Sequence, residues 1–322
     1  MKIKKGLPLI WLIPLTASVA LAHPGHDENS PLLLAQADIS APSPSRSSTG
    51  ESQVSITIEG DYRIIHANGL PDHTTGKFPN RGNPNRIAVQ QYSFRVPVHP
   101  KTNAQPVRLR MGPFGVAVNG VVFDPGAAEW WDDEHKWQYE PMSGAINLGV
   151  DQNNAHVQPN GAYHYHAIPT GLLNRLTGGK AKMALVGWSA DGFPIYGPWS
   201  FSDAKSTNSA LKKLTSSYRV KPGARAGGPG GNHDGSFVAD YEFVRGAGDL
   251  DECNGRFGVT PEFPQGTYHY VLTEDWPFIP RQFKGTPDAS FLRRPPPAGF
   301  RRGGPGGGGA TAGGPAREMR FK

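Results

Sequence analysis

A chain of 322 residues with 37% hydrophobic content can bury one large core or two small ones. Its 41 glycines and 31 prolines interrupt it too often for long helices, so many short strands are expected. A single cysteine excludes a disulfide-stapled secreted scaffold. The net charge of +6 does not mark a folded polyanion-binding domain, because the net positive excess sits at the two ends and leaves the body between them slightly acidic.

Residues 1–22 read as a secretory signal: Lys2, Lys4 and Lys5, an apolar run from Leu7 to Leu15, then Ala20-Leu21-Ala22 as a small-x-small cleavage site. Pro8 and Pro14 interrupt the run, which is short against the ~20 apolar residues of a spanning helix. An exported, periplasmic or extracellular protein is therefore expected, not integral to the membrane once the signal is cleaved. Cleavage after Ala37 is the weaker alternative. Cleavage after Ala22 would free His23-Pro24-Gly25-His26-Asp27-Glu28, a segment able to chelate copper or zinc or to serve only as a polar start to the Ser/Pro linker over 23–52.

The folded domain is expected over 53–286, mainly β, as a single sheet-rich or sandwich unit with short helices and long Gly/Pro loops. Val54–Ile58 and Tyr62–Ile65 alternate as strands, Asn68–Asn85 is loop, and Arg86–Val98 returns to β composition. Asn119-Gly120 between Val116–Val118 and Val121–Phe123 predicts a type I′ hairpin. Ala127–Glu134 predicts a short helix carrying Trp130 and Trp131. Thr170–Thr177 predicts another, capped by Thr170 and stopped by Gly178. Met183–Trp188 and Phe193–Tyr196 read as strands around Asp191-Gly192, Asp203–Leu214 as helical, and Phe237–Val244 as a strand. Beyond Pro287 the chain is Arg, Gly and Pro with no pattern that packs. That tail (287–322) holds seven basic residues, Arg293, Arg294, Arg301, Arg302, Arg317, Arg320 and Lys322, against Asp288 and Glu318. It would suit an anionic envelope polymer, without specific nucleic-acid recognition, or remain a solvated tail.

One segment recurs. Pro159-Asn160-Gly161-Ala162-Tyr163-His164-Tyr165-His166 returns as Pro264-Gln265-Gly266-Thr267-Tyr268-His269-Tyr270-Val271. Each reads as a turn feeding a strand, so His164 and His166 share one face, about 7 Å apart, and Tyr163 and Tyr165 share the other. One metal ion can bridge such a pair. If the related strands lie side by side, His269 is the third ligand; otherwise it is His156, which a loop delivers close to the first copy. Three imidazoles suit copper or zinc. The competing reading is a hydrogen-bonded aromatic core; general acid–base work is a third. Asp191 and Asp251, with Tyr163 and Tyr268, are candidates to orient the ligating rings, although Asp191 also fits its Asp-Gly turn. Cys253 is buried, a ligand, or free for an intermolecular bond. Its distance in sequence from His269 does not fit a blue-copper site, and Asp249, Asp251 and Glu252 miss the spacing of a calcium loop. No H-E-x-x-H, Walker loop or dinucleotide fingerprint occurs, so no nucleotide cofactor is expected.

The Tyr-His-Tyr-His segment, with Gly187-Trp188-Ser189-Ala190-Asp191-Gly192-Phe193-Pro194-Ile195-Tyr196-Gly197-Pro198 and Leu250-Asp251-Glu252-Cys253-Asn254-Gly255-Arg256, resembles the YHYH domain family of exported proteins over about 60–285. The resemblance implies the domain and no particular chemistry. It also implies a second cysteine after the second Tyr-His-Tyr, where this chain has Arg281-Gln282-Phe283-Lys284-Gly285. The leading functional expectation is a transition-metal binder. The alternatives are a metal-dependent hydrolase or oxidoreductase using the same histidines, and a module for envelope glycans or peptides using Trp130, Trp131, Trp188 and the tyrosines.

Overall fold

The computed structural model describes residues 46–47 and 50–292. The signal, both cleavage points, the His23–Glu28 segment, nearly all of the linker and the tail beyond 292 lie outside the described residues. Among the described residues no helix is long and apolar enough to cross a membrane.

The fold is mainly β, and its centre is an eight-stranded sheet. The strand order is Gly255–Gly258, Thr267–Val271, Pro194–Tyr196, Leu185–Ser189, Gly115–Ala117, Val122–Phe123, Tyr163–Tyr165, Ala155–Val157. Read outward from the middle, the two halves are alike. On one side Gly115–Ala117 and Val122–Phe123 form a hairpin, Tyr163–Tyr165 runs parallel to its second strand, and Ala155–Val157 closes the edge antiparallel. On the other, Leu185–Ser189 and Pro194–Tyr196 form the hairpin, Thr267–Val271 runs parallel to its second strand, and Gly255–Gly258 closes the far edge. The hairpins meet antiparallel at Gly115–Ala117 and Leu185–Ser189. The meeting is reciprocal: Val118 N–H donates to Val186 O and Ala190 N–H to Phe114 O, both at 2.9 Å. Two units joined through the same patch on each are related by an approximate two-fold axis.

The likeness reaches the backbone angles. Gly120 and Gly192 have φ of 80° and 92°, Asn154 and Asn254 both 55°, and Gly161 and Gly266 85° and 91°. Tyr163 Oη donates to Asp151 Oδ2 at 2.7 Å, and Tyr268 Oη to Asp251 Oδ1 at 2.9 Å. Asp151 N–H donates to Ala155 O at 2.8 Å, and Asp251 N–H to Gly255 O at 2.9 Å. The domain is thus an internal duplication, and the repeated Tyr-His-Tyr segment is its most visible part in the sequence.

Tyr163, Tyr165, Tyr268 and Tyr270 are buried in one continuous core. A three-stranded antiparallel sheet, Val54–Glu59, Tyr62–Ala67 and Tyr92–Pro97, adds Ile65, Phe94 and Val96 to it. These alternate with exposed neighbours, as expected of strands with one solvated face.

Several local expectations are corrected. The Asn119-Gly120 hairpin forms, but only Gly120 has a positive φ, and Gly120 N–H bonds Ala117 O at 2.8 Å. The turn centres on Val118-Asn119 with a left-handed glycine after it, rather than type I′. The Asn119 side chain is buried, donating to Asp72 Oδ1 and Tyr165 Oη at 2.9 Å each, which fixes that choice. Ala127–Glu134 yields only a 3-10 turn at Trp131–Asp133, with Asp132 and Asp133 at positive φ, because none of those three residues is buried to hold a longer helix. Asp203–Leu214 is turns and a strand, Leu211–Lys213, paired with Trp199–Phe201. Phe237–Val244 divides into a 3-10 turn and the Tyr241–Phe243 strand, because buried Asp240 bonds Arg225 Nε at 2.8 Å and turns the chain there. The Thr170–Thr177 helix ends at left-handed Gly178 as expected, but its first cap is Pro169 with no side-chain bond. The packed body also runs past 286: Phe291 stacks on Phe94 at 4.3 Å, and Asp288 pairs with Arg95 at 3.1 Å.

Candidate metal centre

The Ala155–Val157 and Tyr163–Tyr165 strands pair with His156 directly opposite His164. Facing residues of an antiparallel pair lie on one face, and His166, two positions past His164, falls on the same face. Gly161 makes the hairpin between them, since its φ of 85° suits glycine and a Cβ there would lie 2.5 Å from the Ala88 Cβ. The three imidazoles form a nearly equilateral triangle, with ring centroids 4.6 Å apart for His156–His164 and 4.7 Å for the other two pairs. One ligand atom from each lies within 4.8 Å of the others. In a tetrahedral site with bonds of about 2.0–2.1 Å, ligand nitrogens stand about 3.3 Å apart, so ring shifts on the order of 1 Å suffice.

The hydrogen bonds set the tautomers. His156 Nδ1 faces Leu148 O at 2.8 Å, with the Asn83 amide nitrogen at 3.3 Å, and His164 Nδ1 faces Ala162 O at 3.1 Å; a carbonyl only accepts, so each of these rings carries its proton on Nδ1. Donation of the second ring nitrogen to a backbone carbonyl is the usual outer support of a ligating histidine. His166 is 1% exposed, and neither of its nitrogens makes a hydrogen bond, although the Pro125 carbonyl is close enough to favour its charged form slightly. Burial, then the neighbouring His164 and His156, holds His166 well below the usual histidine pKa. Burial likewise lowers His156, against the pull of the Leu148 carbonyl, Glu129 and Asp124. The two rings are therefore neutral near pH 7, the form that binds metal.

His269 does not join them. The Thr267–Val271 strand is separated from Tyr163–Tyr165 by four strands, because each Tyr-His-Tyr segment pairs within its own half. His269 is fully buried, its Nδ1 facing Thr267 O at 3.2 Å and its ring edge-on to Tyr196. Nor do the expected orienting groups serve the cluster. Asp191 accepts from Tyr270 Oη at 2.6 Å and Gly285 N–H at 2.7 Å, and also from Ser189. Asp251 holds Tyr268, and Tyr163 turns to Asp151 on the opposite face. Cys253 is buried in the second half, its thiol pushed up to about 12, first by burial and then by Asp251. Trp188 lies beneath the Arg63 guanidinium, 3.4 Å from its ring centre and 5% exposed, which removes it from any surface platform with Trp130 and Trp131. Sequence reasoning passed over Asp124 and Glu129, whose charges act on His156. Asp124 follows Phe123, whose pairing with Tyr165 brings it to the histidine hairpin, a placement that only the strand pairing reveals.

Neither comparison with curated proteins nor comparison with solved structures gives a match. The profile of one family, described as YHYH protein, matches residues 93–285. That span takes in both hairpins, both Tyr-His-Tyr strands and all three clustered histidines, and by it the chain belongs to the YHYH protein family.

Proposed function

We propose that this protein is an exported metal-binding protein that holds one copper or zinc ion through His156, His164 and His166. One observation carries the reading. A buried imidazole with both nitrogens unbonded is costly, about 1–3 kcal/mol for each unmet group, and His166 is in that state with two other imidazole rings 4.7 Å away. A metal ion satisfies all three rings together, whereas the core-histidine reading leaves His166 unexplained. Export rests on the leader sequence alone. A second reading, a metal-dependent hydrolase or oxidoreductase, draws support from the ligand count. Catalytic zinc sites use three protein ligands and keep a fourth position open, and three candidate ligands gather here among the described residues.

The test is metal analysis of mature protein purified without chelators, followed by zinc and copper titration of the parent and of His164→Ala. One equivalent in the parent and none in the variant is expected. No binding in the parent, or equal binding in both, overturns the reading.

A further inference from the structure

The duplication makes every residue of the histidine cluster comparable with a residue in the other half. His164 faces His156 across its strand pair, and His269 faces Arg256 across the equivalent pair. Tyr165 pairs with Phe123, and Tyr270 with Ile195, so Asp124 corresponds to Tyr196 and His166 to Val271. One ligand is thus kept, with its Nδ1 on the carbonyl two residues back in both halves. Of the other two, one is a guanidinium and one is apolar, and the nearby carboxylate has become a phenol.

These exchanges are consistent in charge. A bound dication asks for lone pairs and tolerates an acid nearby. A fixed guanidinium needs acceptors, and Arg256 finds them in Ser200 Oγ at 3.0 Å and Phe201 O at 2.5 Å. It still leaves Nε buried without a partner, as His269 leaves Nε2. We infer that the second half holds a latent copy of the metal centre, in which the Arg256 side chain supplies the positive charge that the first half takes from a bound ion. The inference rests on the metal reading of His156, His164 and His166.

Restoring the ligands tests it. Arg256→His with Val271→His should surround His269 with two imidazoles, and zinc titration should show one equivalent more per chain than the parent. Adding His269→Ala should remove that extra equivalent. A folded double variant with parental stoichiometry overturns the inference while leaving the proposed function standing. A parent that binds no zinc beside a double variant that binds one sinks the proposed function but keeps the shared frame; binding in neither sinks both. Should the double variant not fold, the reciprocal exchange His156→Arg with His166→Val decides. A folded product, with Arg and Val accepted at these two positions, supports the shared frame, and a second failure to fold overturns it.

Discussion

Exchanging His166 for valine should change stability in opposite directions with and without metal. Without metal the His166 ring is buried with two unbonded nitrogens, each costing about 1–3 kcal/mol. Valine is close to histidine in volume, favours strands, and stands at the corresponding position as Val271, fully buried. Allowing for imperfect packing, the metal-free variant should be more stable than the metal-free parent by roughly 1–3 kcal/mol. For a domain of this size that is a Tm rise of about 2–4 °C per kcal/mol. With zinc at about a thousand times the Kd, the parent gains at most about 4 kcal/mol by linkage. The variant, with two ligands left, gains little, and the order reverses. Thermal melting of both proteins in chelator and in zinc measures the four values. A variant less stable than the parent in chelator would refute the claim that His166 is unsatisfied. Equal zinc shifts in both would show that His166 is no ligand.

His269 offers a cleaner pH probe, because it stands apart from the cluster. Burial holds its pKa down to about 4, so between the ordinary value of 6.5 and about 4 the unfolded chain binds the extra proton. Stability from this group is complete above pH 6.5 and is lost as pH falls toward 4, on the order of 3 kcal/mol in all. Urea midpoints in chelator from pH 7.5 to 4.5 should fall less for His269→Gln than for the parent, and parallel curves would show that this ring is not held neutral. At the far end of the body, Phe291→Ala should cost about 3–5 kcal/mol, because the ring is 5% exposed and stacked on Phe94. A Tm unchanged within a degree would mean that the terminal aromatic adds nothing.

The sequence revealed the β class and the repeated Tyr-His-Tyr strand because both are local: glycine, proline and period-two alternation act within a few residues. The partner of each strand was hidden, since register between distant segments is a property of the whole sheet. Hence the third histidine of the cluster was sought first at His269, although His156, the alternative, lies in the same hairpin as His164. The duplication was hidden by unequal insertions. Gly115 corresponds to Gly187, Asp151 to Asp251 and His164 to His269, three different offsets that no single alignment period displays. Asp249, Asp251 and Glu252 drew comparison with a calcium loop, while the Asp-x-x-Asn frame shared by Asp151–Asn154 and Asp251–Asn254 passed unread. Its function is structural: in each copy the Asn N–H returns to the Asp carbonyl, and the Asp carboxylate takes a tyrosine hydroxyl from the Tyr-His-Tyr strand.

The three clustered histidines fall between His156 and His166, in one hairpin. Closing so short a loop costs little chain entropy, since that cost grows only with the logarithm of loop length. The denatured chain can therefore compete for the same ion, using the same three side chains. Linkage counts only the difference in affinity between the two states, so whatever the denatured chain binds is subtracted from the gain. A tightly bound ion would then raise the melting temperature less than its affinity suggests. It would also already be seated on the nascent hairpin when the distant half of the sheet arrives.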